Sequence, residues 1–289
     1  IVMREFFKRV MEANRNINPI TLYLYIGIAV IAGIMLLGKV AGDPKILIIA
    51  VAFYFAIVIH EIAHGVAAFA FGDPTAKMAG RFTLNPAKHL DPAGTIIPIV
   101  LMVFSAPFII GWAKPVPVNY RLLKSKNIGI FFVSIAGVVS NLLMALLGAL
   151  YLMGPGSRTP FMIKLREIGL FDTIMGVVKS ENQFYFRLQA VYNYSPNFRD
   201  IFDMIAFFAM WLIFINIVLA VFNLIPCPPL DGSRVIYALG NDRVKEILDS
   251  MEKYGFIILI ALLAFGVIDK ILIPVIDYAY RFVFVFIGL

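Results

Sequence analysis

Residues 46–73, ILIIAVAFYFAIVIHEIAHGVAAFAFGD, decide the fold. From Ile46 to Phe71 the run is apolar and long enough to cross a bilayer as a helix, because a ~30 Å hydrocarbon core takes about 20 residues. Gly72 and Pro74 then stop it. His60, Glu61 and His64 nevertheless sit in its second half, and an ionisable side chain at membrane depth costs about 2.5 kcal/mol or more. Three such groups within five residues are either satisfied by helix neighbours or kept for chemistry, and the cost in hydrocarbon favours chemistry.

The rest of the chain supports a membrane setting. Hydrophobic residues make up 61% of the 289 positions, 26 of them Phe, and charged residues only 15%. With a mean hydropathy of +0.88, the chain lies outside the range of soluble domains. Apolar runs at 21–38, 131–153 and 205–225 add further spans, and the tail from 256 to 289 is apolar but interrupted by Asp269, Lys270, Pro274, Asp277 and Arg281, as one long helix or two short ones. The run 95–111 is broken by Pro98 and Pro107. Lys77, Arg81 and Lys88 precede it, and Lys114, Arg121, Lys124 and Lys126 follow. Positive charge marks the cytoplasmic face, so both ends lie there and the run re-enters rather than crosses. The expected fold is an all-α polytopic membrane protein with about six transmembrane segments and a short re-entrant or β-hairpin element near the active site.

Three parts are expected: an N-terminal segment and first helix over 1–45, a catalytic membrane core over 46–240 with an external segment at 154–202, and C-terminal membrane segments over 241–289. The net charge of +7 is read as anchoring on an anionic inner leaflet and not as a nucleic-acid footprint. The single cysteine, Cys227, excludes an intramolecular disulfide. With Arg4, Lys8, Arg9 and Arg15 ahead of the first run, the second helix runs inward, placing His60 to His64 in its cytoplasmic half.

On a helix, His60 and His64 share a face, so both imidazoles reach one metal ion, and Glu61 stands beside a water on that ion. This is the H-E-x-x-H pattern of zinc hydrolases. With 3 histidines in the chain, a chance match arises roughly once in a thousand such sequences. A catalytic zinc needs a third protein ligand and one open position. His89, Cys227 and Asp231 are the candidates. Asp231 follows Pro226, Pro228 and Pro229 in NLIPCPPLDG (223–232), a stiff non-helical stretch that survives at membrane depth only where protein encloses it or water reaches it. A helix N-cap near Ser233 is the competing use of Asp231. Asn141, in mid-helix, either bonds a neighbouring helix or, facing the metal cavity, binds a substrate carbonyl.

HEIAHG (60–65), SIAGVVSN (134–141) and NLIPCPPLDG (223–232), in this order and each tied to an apolar run, resemble the site-2 protease family of intramembrane zinc metalloproteases. LNPAKHLDPAGT (84–95) and GWAKPVPVN (111–119) further resemble its compact subgroup without PDZ or CBS domains. The resemblance implies one zinc ion held by His60, His64 and Asp231, Glu61 as general base, and Asn141 in contact with the substrate backbone. It implies that Asn223 bonds nearby backbone or substrate; it carries no ligand role for His89. The implied reaction is hydrolysis of a peptide bond in or near a transmembrane segment of a membrane-protein substrate.

A substrate helix must unwind first, because its carbonyls are bonded internally. Strand addition is one route. Pro115 and Pro117 turn their donor-less nitrogens to one edge, leaving Lys114, Val116 and Val118 with complete donor and acceptor sets on the other. That edge pairs with substrate or with GRFTL (80–84), or the prolines merely block unwanted pairing. A transporter or metal channel using the His/Asp cluster for ion binding is the rival reading from another class.

Overall fold

The structure is a computed structural model that describes residues 33, 38, 43, 45–89, 91, 94, 113–167 and 201–286. The chain divides into two compact units, residues 1–46 with 90–113 and residues 47–89 with 114–289, and nearly all of the described helical framework lies in the second. Its helices are α1 (Lys45–Ala70), α2 (Thr75–Met78), α3 (Pro86–His89), α4 (Lys126–Met153), α5 (Pro160–Glu167), α6 (Ile201–Asn223), α7 (Asp231–Leu239), α8 (Asp242–Glu252), α9 (Gly255–Ala264) and α10 (Val267–Phe286).

Among the described residues the architecture is helical, without strands. Three helices, α1, α4 and α6, are long and apolar enough to cross a membrane. At 26, 28 and 23 residues they reach about 35–42 Å, more than a ~30 Å core requires. The run 95–111 and, apart from residues 33 and 38, the run 21–38 lie outside the described residues, as does most of the external segment. In the tail, two helices form and not one. Gly266 takes a left-handed φ of 64° between α9 and α10, a turn that any side chain would strain. Neither is by itself both long and apolar enough to count with α1, α4 and α6: α9 has 10 residues, and α10 carries Asp269, Lys270, Asp277 and Arg281.

Lipid tails give helices no hydrophobic reason to associate, so small residues that admit close backbone approach decide which faces meet. Ala145 and Ala149 of α4 pack with Ala206, Ala209 and Ile213 of α6, and a methyl on Gly148 would stand 2.9 Å from Ile213 Cγ1 and 3.0 Å from the Ala209 carbonyl oxygen. Helix α1 joins through Ala52 and Ala56 against Leu212 and Ile215 of α6, and through Ala68 against Ile130 and Val133 of α4. The opposite face of α4 leaves Leu142, Leu143, Leu146, Leu147 and Leu150 exposed, as a lipid-facing surface should. Asp203 is fully buried and accepts from the Phe161 amide at 2.8 Å, so α6 satisfies an orphan donor at the start of α5.

Beyond α1 the chain is stitched back on itself. Asp73, fully buried, accepts from the Thr75 amide at 2.9 Å and the Asn119 amide at 2.6 Å, and the Lys124 amide donates to the Phe71 carbonyl at 2.9 Å. Burial pushes the Asp73 carboxyl up, and the bonds from Thr75 and Asn119 more than reverse this, leaving it below the ordinary 3.8. A depressed carboxylate contributes stability that is present above its ordinary value and lost as the pH falls through the folded one. Asp73→Asn should therefore flatten the acid limb of the pH–melting profile below about pH 4; a profile that keeps the wild-type acid limb would count against this bond set.

Candidate metal centre

Helix α1 presents His60 and His64 to α4 one turn apart, both buried. Behind His60, Nδ1 lies 2.6 Å from Asn141 Oδ1. The Asn141 amide nitrogen donates to the Ala56 carbonyl at 3.2 Å and to Asn216 Oδ1 at 2.8 Å, so its oxygen is the acceptor and His60 Nδ1 carries the proton. His64 Nδ1 faces the Val133 carbonyl oxygen at 2.6 Å and must likewise donate. In the neutral imidazoles both Nε2 atoms are then bare lone pairs, 3.0 Å apart.

Asp231 completes the group. It is the first residue of α7, whose N-cap is Leu230, so it does not cap the helix as the competing reading required. Its Oδ2 lies 3.1 Å from His60 Nε2 and 3.3 Å from His64 Nε2 and is buried without a hydrogen bond. Three acceptors facing one another with no proton between them repel unless a cation sits among them. Donors about 2.0–2.1 Å from a tetrahedral ion stand about 3.3 Å apart, close to the spacing observed. The residues fit a zinc ion, and His60, His64 and Asp231 form such a group among the described residues.

Two glycines make this approach possible. A Cβ on Gly137 of α4 would lie 2.4 Å from His60 Cε1 and 2.5 Å from His64 Nε2, so only a bare Cα allows the ligands in. A Cβ on Gly232 would meet the Leu224 carbonyl oxygen at 2.3 Å; the bare turn lets the start of α7 fold against the end of α6, which aims Asp231 inward.

The other candidates lie elsewhere. Cys227 is buried, its thiol 3.4 Å from the Pro228 carbonyl oxygen, and burial pushes its pKa up, away from the thiolate a metal needs. His89 is buried and not on an open loop: its Nε2 pairs with the Thr83 carbonyl at 2.6 Å, and its own carbonyl accepts from the Lys114 amide at 2.8 Å. Asn223 Nδ2 donates to the Leu219 carbonyl at 3.0 Å, within its own helix. The Asn141 amide bonds His60, Ala56 and Asn216, which joins it to neighbouring helices on the side of the metal cavity.

The segment from Lys114 to Asn119 runs beside the centre. Val116 N–H donates to Glu61 Oε2 at 2.8 Å, and buried Arg81 donates to the carbonyls of Lys114 and Pro115, the latter at 3.0 Å. The edge bearing Lys114 and Val116 is thus engaged within the chain, and among the described residues Val118 is the one member whose backbone takes no partner. Asn216, fully buried, escaped sequence reasoning, although a lone amide in WLIFINIVLA (211–220) carries the same signal as Asn141.

Comparison with known proteins agrees with the geometry. The chain is 37% identical over 218 residues, 75% of its length and 80% of the relative's, to YwhC of Bacillus subtilis (strain 168), a protein named as a candidate zinc metalloprotease. It is 24% identical over 259 residues, 86% of its length and 82% of the relative's, to Rip2 of Mycolicibacterium smegmatis, named likewise. No solved structure matches it. Peptidase family M50 matches residues 48–266, and the chain belongs to that family, the site-2 proteases, as a hydrolase of the zinc metalloprotease class.

Proposed function

We propose that this peptidase hydrolyses a peptide bond in or near a transmembrane segment of another membrane protein, with one catalytic zinc and the active site toward the cytoplasmic face. The observation that carries the reading is the position of the triad's histidines within α1. His60 and His64 precede its end at Ala70 by ten and six residues, or about 15 and 9 Å, inside a helix apolar enough to span a membrane, which favours a scissile bond drawn into the bilayer region. The cytoplasmic assignment rests on the basic residues that flank this end of the helix.

Zinc held by His60, His64 and Asp231 would supply a Lewis acid that brings the pKa of water to about 7. The chain's own residues do the rest. Glu61, one residue from the first ligand, takes the proton of the attacking water and returns it to the leaving amine. Before substrate enters, Val116 N–H holds one Glu61 oxygen at 2.8 Å. Asn141 and the Val133 carbonyl hold the two imidazoles from behind, so that only Nε2 faces the reacting atoms. Strand pairing of an unwound substrate along Lys114, Val116 and Val118 has to begin at Val118 and requires Val116 N–H to leave Glu61, which would couple substrate entry to release of the base. Asn223, which opens NLIPCPPLDG (223–232), is the further residue assigned to bond nearby backbone or substrate.

The test is a pair of reporters with one scissile sequence, either inside a single-span segment or in a soluble loop. Cleavage of the span alone, abolished by a zinc chelator and restored by zinc, is the expected result. Equal cleavage of the soluble reporter would overturn the intramembrane reading and leave a zinc peptidase, and chelator-resistant ion flux without cleavage would favour a transporter.

A further inference from the structure

Behind the centre lies a polar chain that no part of the chemistry above uses fully. Asn216 Nδ2 donates to the Leu212 carbonyl at 2.7 Å, one turn back in α6. Its oxygen is thereby turned toward α4 and accepts from Asn141 Nδ2 at 2.8 Å. The second Asn141 N–H goes to the Ala56 carbonyl of α1 at 3.2 Å, and the Asn141 oxygen faces His60 Nδ1 at 2.6 Å. Both asparagines are fully buried.

We propose that Asn141 and Asn216 form a one-directional amide relay, anchored on the Leu212 and Ala56 carbonyls, that holds His60 as the Nδ1–H tautomer with Nε2 free for the metal, and that Asn216 is therefore a positioning residue for the centre. This rests on the metal reading above. The direction follows from the anchors. Backbone carbonyls only accept, so each dictates that an amide nitrogen faces it; Asn216 must then offer oxygen to Asn141, and Asn141 must offer oxygen to His60. A reversed Asn141 would place its oxygen against the Ala56 carbonyl and the Asn216 oxygen, two acceptor–acceptor contacts in a site without water to relieve them. The relay also draws on α1, α4 and α6 together, so the three spanning helices set the ligand's orientation jointly.

An alternative role for Asn216 is helix–helix adhesion alone, since a buried interhelical amide bond by itself helps hold spanning helices together. The two roles predict different results. In Asn216→Leu the branching and heavy-atom count of the side chain are kept, every polar atom is removed and the relay loses its anchor. In Asn216→Asp a neutral carboxyl supplies one donor for Leu212 and one acceptor for Asn141, so the relay is rebuilt. The experiment uses the full-length zinc-loaded chain and measures zinc affinity by competition with a chromophoric chelator, alongside the melting temperature.

The expected result is a loss of about 10- to 100-fold in zinc affinity for Asn216→Leu, with Asn216→Asp close to wild type. If Asn216→Leu does not fold, Asn216→Ser replaces it, because a serine hydroxyl bonds its own helix and cannot reach Asn141; the same loss is expected. Wild-type zinc affinity in Asn216→Leu or Asn216→Ser, or a loss in Asn216→Asp equal to theirs, would overturn the relay in favour of adhesion. A wild-type chain that takes up no zinc would instead bring down the metal reading, and the relay with it.

Discussion

Glu61→Gln is expected to abolish cleavage while leaving the metal in place. A general base contributes about 10²–10⁴-fold, or roughly 3–5 kcal/mol of transition-state stabilisation, and the amide cannot take a proton at working pH. The substitution is mild in every other respect. A Gln oxygen still accepts from Val116 N–H, now 2.8 Å from Glu61 Oε2, so the loop from Lys114 to Asn119 stays docked. Neither ligand nitrogen touches Glu61, so zinc content should equal that of the wild type. Measured together, unchanged metal and melting temperature with cleavage at background identify Glu61 as the base. Cleavage within about threefold of wild type would remove it from the mechanism, because that leaves less than about 1 kcal/mol to account for.

Gly137→Ala should empty the centre. In the interior of a helix the exchange by itself favours folding by about 0.5–1 kcal/mol, so propensity alone predicts a more stable protein. The tertiary structure reverses this at the site. The new methyl would stand 2.5 Å from His64 Nε2 and 2.6 Å from His60 Nε2, in front of both ligand nitrogens. The imidazoles cannot retreat, being held from behind by Asn141 and the Val133 carbonyl at 2.6 Å each. Overpacking costs about 1–3 kcal/mol, and any relief comes from pushing α4 away from α1, which separates the ligands from their supports. Metal content and cleavage should both fall to background even where the melting temperature is kept. Full zinc occupancy in Gly137→Ala would show that α4 does not wall the site.

What could be read from the sequence shares one property: it depends on neighbours along a single helix or turn. The four-residue spacing of His60 and His64 puts them on one face of any helix, Glu61 follows by adjacency, and the length and composition of α1, α4 and α6 mark them as spans whatever their partners. Even Asp231 was singled out locally, because three prolines forbid a helix before it. The helix–turn–helix tail had to wait for the structure, since a pattern of apolar residues broken by charges fits either form and the left-handed turn at Gly266 decides between them.

The remaining features depend on which faces meet, and that is a three-dimensional matter. Lys114 and Val116 look like a free edge in the chain, but Arg81, His89 and Glu61, up to 55 residues away, take up most of its bonds. Asn141 reads in the sequence as either a helix-bonding amide or a substrate contact, and the bonds it makes became visible only when α6 brought Asn216 to one side of its amide and α1 brought His60 to the other. A side-chain amide carries donors and an acceptor alike, so its role is set by what surrounds it. The sequence by itself determined that a helix long and apolar enough to cross a membrane carries the H-E-x-x-H pattern. Only the packing of α1, α4 and α6 decided which nitrogen of each histidine faces Asp231, because in hydrocarbon every buried donor must find its acceptor inside the protein.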